Sequence, residues 1–213
     1  MAESISHPPY RCLEEGGIGE IIEKKSRFIA TVKKVESEAE ATAFIEELKK
    51  KYWDASHNCS AFVIGQGARL TRCSDDGEPS GTAGRPMLEV LLQEGICNIA
   101  VIVTRYFGGT LLGTGGLVRA YGAAVKAGLE ESLVVTMRYA TRMKITTNYT
   151  DIGKIQYLLG KQGIAQRNAE YTDIVTLEVL IPYETELPLI KELTETTAGR
   201  VRNEVLAREY FDF

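Results

Sequence analysis

Five glycines fall within nine residues in the run GGTLLGTGG at 108–116. The run follows the β-forming segment CNIAVIVTRYF and precedes LVRAYGAAVKAGLEE, which has helical character. A strand ending at Phe107, a loop of small residues and a helix opening near Gly115 point unpaired backbone N–H groups at one place. The helix dipole adds partial positive charge there, which suits a phosphate or a carboxylate. Gly108, Gly109, Gly113, Gly115 and Gly116 are the candidate cradle, and Arg105 and Arg119 flank it, each able to add a charge-assisted hydrogen bond to the same anion. The loop is not a Walker A motif, because no Gly-Lys-Ser/Thr occurs. Gly113-Thr114-Gly115 opens like a dinucleotide fingerprint, but position 118 is Val. Glycines also serve close helix–strand packing and positive φ, so both readings stand. Tyr106 and Phe107 beside Arg105, and Tyr121 beside Arg119, can stack bases while the arginines hold phosphates. Along a strand Arg105 and Phe107 share one face and Tyr106 takes the other.

A second cluster is Asp75, Asp76 and Glu78, with Ser74 before it and Ser80, Thr82 and Arg85 after it. Three carboxylates in four residues can hold Mg²⁺ with water completing the shell, or divide acid and base roles in a hydrolysis. Asp-Gly followed by Pro79 equally describes a tight turn, and the spacing is not that of an EF-hand, so no metal is assigned. His57, in WDASHNCS, has Asp54 and Cys59 nearby, and Cys73 can approach it across a hairpin. A Cys–His pair is a nucleophile pattern. No third orienting residue or oxyanion motif accompanies it, so His57 and Arg85 are expected to give polar support and Cys59 to belong to the core. No two of Cys12, Cys59, Cys73 and Cys97 are separated by two residues, and only His7 and His57 could join them. Free thiols fit this better than a zinc site.

The elements that position these residues follow from periodicity. Strands are expected at 18–22 and 27–35, then a helix from Ser37, whose spacing to Glu40 fits a capping box. Ala41, Phe44, Ile45, Leu48 and Tyr52 recur at helical intervals, and Lys49, Lys50 and Lys51 suit the helix C-terminus. Strands at 60–64 and 68–73 turn through Gly65–Gly67, Pro86 starts a helix that ends at Gly95, and 97–107 reads as a central strand. Thirteen of the twenty glycines lie between Gly65 and Gly128, and the texture changes near Met137. The tail reads strand 138–148, helix 151–161, strand 164–170, strand 173–182, helix 184–197, strand 199–209. This β-α-β-β-α-β order is that of ferredoxin-like folds. We therefore expect an α+β chain with two domains, 1–136 and 137–213.

With 213 residues, 44% hydrophobic and 25% charged, the composition is that of a globular protein rather than a disordered or disulfide-dense one. The N-terminus MAESISHPPYR has no apolar core of a leader, and no run approaches the ~20 apolar residues of a membrane span, so a cytoplasmic protein without membrane partners is expected. The net charge is −4. Residues 1–136 hold 15 basic and 18 acidic residues and 137–213 hold 10 and 11, so neither half is a basic domain.

The segments SDDGEPSGTAGRP at 74–86 and VTRYFGGTLLGTGGLVRAY at 103–121, with WDASHNCSAF ahead of them, resemble the signature of the IMPACT/YigZ family. The resemblance runs from about Ile18 to Glu130, and the tail is similar to the small C-terminal domain of the bacterial two-domain members. It implies an N-terminal domain like the second domain of a small-subunit ribosomal protein, with a left-handed β-α-β crossover. The C-terminal domain would be like domain V of elongation factor G, in agreement with the ferredoxin-like order. Eukaryotic members of the family restrain a kinase response to amino-acid starvation through an additional N-terminal domain. Only about seventeen residues precede the first expected strand here, so that partner is not carried over. The resemblance transfers no catalytic residues.

The leading expectation is a non-enzymatic, RNA- or ribosome-associated protein that influences translation and needs no cofactor. It would bind RNA phosphate through the glycine loop and its arginines. A Mg²⁺-dependent enzyme on a phosphorylated small molecule or nucleotide is the alternative, and requires 54–60, 74–86 and 105–119 to meet in one cleft. A third possibility is capture of a protein partner by the C-terminal sheet. Binding is favoured over catalysis because the loop offers a place for an anion and no committed nucleophile.

Overall fold

The computed structural model describes residues 7–212; most of the N-terminal stretch read for a leader, residues 1–6, lies outside that range. The chain is mixed α+β and divides into two units, one of Tyr10–Thr136 and one of 137–212 together with 7–9. Among the described residues no helix is long and apolar enough to cross a membrane.

In the N-terminal unit, β1 (Tyr10–Glu15) is a strand that the sequence reading did not contain. Then come β2 (Ile18–Glu23), β3 (Ser26–Lys34), α1 (Glu38–Lys51), β4 (His57–Ile64), β5 (Leu70–Ser74), α2 (Gly84–Gln93), β6 (Ile96–Cys97), β7 (Ile99–Tyr106) and α3 (Thr114–Glu130). The main sheet is antiparallel throughout, in the order β2-β3-β7-β4-β5. Its central strand is β7, whose residues from Ile99 to Arg105 are all buried. Helices cover both faces, so the central strand reads as continuous apolar sequence rather than as an alternation. On one face Phe44 and Leu48 of α1 pack with Phe62, Ala100 and Ile102; α2 and α3 lie on the other. The single strand expected at 97–107 is divided, because Asn98 takes φ +56° between β6 and β7, and β6 pairs in parallel with β1.

Local chemistry explains the helix ends. The Ser37 hydroxyl accepts from the Glu40 N–H at 3.2 Å and the Glu40 carboxylate accepts from the Glu36 N–H, a capping box shifted by one residue. Helix α2 has Ala at its N-cap and no acidic residue in its first turn, and its orphan N–H groups are met from outside by Asp75, described below.

The C-terminal unit contains β8 (Leu133–Thr147) from Met137 onward, α4 (Ile152–Lys161), β9 (Gln166–Tyr171), β10 (Val175–Pro182), α5 (Glu186–Thr196) and β11 (Arg202–Asp212). These strands form an antiparallel array in the order β9-β10-β8-β11. Met143, Ile145, Leu177 and Val179 on one sheet face enclose a core with Ile155 and Leu158 of α4 and Leu189 and Leu193 of α5. Two buried carboxylates carry arginine partners. Asp151 receives two hydrogen bonds from Arg200, at 2.8 and 2.9 Å, and Glu186 receives Arg208 and the Thr141 hydroxyl.

Candidate functional site

At one end of the main sheet the register aligns Phe28 of β3, Arg105 of β7 and His57 of β4 in a row facing α3. His57 joins this row because β4 begins three residues earlier than its apolar pattern suggested. The loop after β5 brings Glu78 over the row. Glu78 is buried, and its Oε1 accepts from Arg105 Nη1 at 2.6 Å and from the Tyr121 hydroxyl at 2.8 Å. Cys59 lies behind them, its Sγ 3.3 Å from the Tyr121 hydroxyl and 3.0 Å from the carbonyl oxygen of Asp75. The Arg105 guanidinium sits between the rings of Phe28 and Phe107, 5.4 and 5.6 Å from their centroids, and its Nε is buried without a partner.

Two expectations are corrected here. Arg105 is an interior residue bound to Glu78, not a surface cation beside the loop. Tyr121 is fully buried and offers no face for a base. Burial also pushes its phenol well above the ordinary tyrosine range. Cys59 lies in the core, as its apolar strand suggested, and burial drives its thiol up to about 12, only partly eased by the Tyr121 hydrogen bond.

The acidic residues diverge instead of converging on a cation. Asp75 Oδ1 accepts from the N–H groups of Ala83 and Gly84 and its Oδ2 from that of Gly81, at 2.8 to 3.0 Å. Burial opposes its charge, but these three backbone bonds outweigh burial and hold the carboxyl below its ordinary value. Asp76 turns away to the Asn58 N–H at 2.7 Å and to Lys49 Nζ at 2.7 Å. Only Glu78 faces the glycine loop. Asp75, Asp76 and Glu78 therefore do not surround one Mg²⁺ position, and among the described residues no group of three His, Cys, Asp or Glu is placed to hold a metal. Arg85 is exposed and paired with Glu89 on α2, outside the site.

The glycines have separate duties. Gly108 passes so close to the β2–β3 turn that a Cβ would meet the Lys25 carbonyl carbon at 2.0 Å, which is a packing requirement. Gly113 is the N-cap of α3 at φ +72°, a conformation other residues adopt only with strain. No side chain caps this helix. Gly115 lies open at the first turn, where Arg119 Nη1 reaches back to within 3.7 Å of the position a Gly115 Cβ would take. Gly109 stands at φ +82° in the loop, and Gly116 packs on Leu112. The alternation along β7 holds: Phe107 continues the Arg105 face, and Tyr106 lies on the other, donating to Asp54 at 3.0 Å.

Between the 77–79 loop and the 107–113 loop lies a cleft of about 500 Å³. Its floor is Arg105, Glu78 and His57, its end is Gly113 at the start of α3, and its walls are Phe107, Leu111, Leu112 and Leu117. Phe107 is 49% exposed and Leu111 82% exposed. The sequence reading missed Leu111 and Leu112 as lining residues, because apolar residues between glycines carried no periodicity to place them.

Two family models match the sequence: the Impact N-terminal domain over residues 24–129, and a Domain of unknown function (DUF1949) over residues 145–200. The IMPACT family member YvyE of Bacillus subtilis is 41% identical over 191 residues, 90% of this chain and 88% of its own length. The IMPACT family member YigZ of Escherichia coli is 36% identical, over 84% of this chain and 89% of its own. The Protein IMPACT homolog of Dictyostelium discoideum is 38% identical over 97 residues, which cover 44% of this chain and 28% of that protein. A crystal structure described as that of an hypothetical protein has a TM-score of 0.59 at 32% identity and covers 96% of this chain and 100% of its own.

Proposed function

The chain belongs to the IMPACT family, and from that premise we propose that it is a non-enzymatic protein that binds single-stranded RNA, on or off the ribosome, and thereby influences translation. The observation that carries this reading is the uncapped start of α3 opening into a cleft whose wall is the exposed ring of Phe107. A helix N-terminus attracts a phosphate, and an aromatic face accepts a base of any identity. Arg119, exposed and folded back toward Gly115, supplies the charge at the phosphate position that Arg105 does not. Lys24 and Lys25, in the turn beneath Gly108, add positive charge on the loop's other side. The strand order β9-β10-β8-β11 with both helices on one face supports reading the C-terminal unit as ferredoxin-like, akin to domain V of elongation factor G. We read the N-terminal unit as the ribosomal-protein-like domain, with the left-handed crossover that the family resemblance implies. Both are fold analogies, and the binding claim rests on the cleft.

Co-sedimentation of the protein with ribosomes and with free RNA across a salt series tests this. Binding should weaken as salt rises, because each phosphate contact releases counterions. Gly115→Glu is the informative variant. Its carboxylate would sit at a helix N-terminus beside Arg119, which favours folding, yet it would repel a phosphate. We expect at least a tenfold loss of RNA binding with an unchanged melting temperature. Unchanged binding in Gly115→Glu and Phe107→Ala would remove the cleft as the site.

A further inference from the structure

His57 is held so that one ring nitrogen is committed and the other is not. Its Nδ1 lies 2.9 Å from the carbonyl oxygen of Asp76. A carbonyl only accepts, so in the neutral ring Nδ1 carries the proton and Nε2 carries the lone pair. Backbone geometry fixes this arrangement. Asp76 and Gly77 take φ of +45° and +87°, which turns the Asp76 carbonyl toward the ring, and a Cβ on Gly77 would stand 3.5 Å from Nδ1.

Nε2 then faces Glu78 Oε2 at 3.9 Å, too far for a direct hydrogen bond. Arg105 and Tyr121 both bond to Oε1, and Oε2 receives no hydrogen bond from any described residue. The cleft floor thus presents two acceptors side by side with no donor between them. The Glu78 charge is already answered by Arg105 at 2.6 Å, so the pair has no need of a cation. What fits between two such acceptors is a neutral donor, a hydroxyl or an amino group.

We propose that the ribose 2′-hydroxyl of the bound strand shares its one proton between His57 Nε2 and Glu78 Oε2 in a three-centre hydrogen bond, and that this pair makes the cleft select RNA over DNA. The proposal rests on the reading that the cleft holds a nucleotide. The 2′-hydroxyl is the group by which a protein tells the two sugars apart, and a site built to receive a hydroxyl discriminates against a ligand that leaves its acceptors unmet. Exocyclic base amines and ring imino groups such as the N3–H of uracil are the other neutral donors of a nucleic acid, and the test separates the sugar from the base.

The experiment is fluorescence anisotropy at low salt with four labelled octamers: U RNA, deoxyuridine DNA, A RNA and A DNA. Uracil has no exocyclic amine, and its N3–H is present in both U strands, so U RNA differs from deoxyuridine DNA by the hydroxyl alone, while A DNA offers the amine without the hydroxyl. Wild type should bind both RNAs about five- to tenfold tighter than the matching DNAs. His57→Phe keeps a ring and removes the acceptor, and should abolish the sugar preference, lowering RNA binding by a larger factor than DNA binding. His57→Gln returns an acceptor oxygen and should recover part of the preference, so an effect of His57→Phe on folding alone is distinguishable. Equal RNA and DNA affinity in wild type overturns the proposal, as does equal weakening of both by His57→Phe. Preference for adenine strands whatever the sugar assigns the donor to the base and overturns it too. Absence of binding to all four strands overturns the cleft reading itself.

Discussion

Arg105 carries its charge in the protein interior, so reversing it would not probe a surface. Arg105→Glu would set two carboxylates against each other, and even Arg105→Ala strands Glu78 with one hydroxyl donor. Breaking a buried ion pair from one side costs about 3–5 kcal/mol, and urea denaturation of Arg105→Ala should show a loss of that size. A loss below 1 kcal/mol would mean that the Glu78 carboxyl finds another partner. The alternation of β7 already separated Arg105 and Phe107 from Tyr106. Nothing local, however, could announce that Glu78, 27 residues earlier, would neutralise Arg105. Tyr121 was different, because a usable signal existed. Leu117, Tyr121, Ala124, Val125 and Gly128 form one helical stripe, and all are buried. Reading that stripe first would have placed Tyr121 inward and left Arg119 as the exposed residue.

Among the elements, α2 depends on a residue outside itself. Asp75 accepts from Gly81, Ala83 and Gly84, doing from eight and nine residues upstream what an N-cap side chain does from adjacent positions. Asp75→Ala should therefore cost about 2 kcal/mol, within the range for caps and for hydrogen bonds to a charged group. The measurable sign would be earlier amide exchange in the first turn of α2 than in α1, whose own cap is intact. Helices and central strands were legible because their signals are local: Ser37 with Glu40, Pro86, and the apolar run of β7. The strands that were missed or shortened owe their existence to distant pairing. β1 pairs with β6, whose two residues lie at 96–97. The first residues of β4 are polar and enter the ladder because β7 lies opposite.

Across the whole molecule, acid is the predicted weakness. Asp151 is held below the ordinary aspartate value chiefly by the hydrogen bonds of Arg200, and Glu186 below the glutamate value chiefly by Arg208. Asp75 is depressed by its three backbone donors, against burial. A carboxyl whose folded value is depressed binds protons more readily unfolded, so the stability it contributes is complete above its unfolded value and is lost as pH falls through the folded one. Melting temperatures should hold steady from pH 7 to about 5 and fall progressively below that. Asp151→Asn should be less stable at neutral pH and show a shallower decline into acid. A parallel decline in both proteins would show that Asp151 does not contribute. The change of glycine texture near Met137 was visible in the sequence, whereas these ion pairs were not, since Asp151 and Arg200 lie 49 residues apart.

The row of Phe28, Arg105 and His57 across three strands, closed by Glu78 from a loop and Tyr121 from a helix, has a consequence for the order of events in folding. The cleft floor is assembled from five separate stretches of chain, so it does not exist until the sheet has its final register. A one-residue slip of β7 would exchange Arg105 for Thr104 or Tyr106 and turn the charge toward the wrong layer. Such long-range assembly comes late on a folding route. A nascent or partly folded copy therefore presents no weakened form of this cleft. Binding competence arrives with the native topology, as a single step.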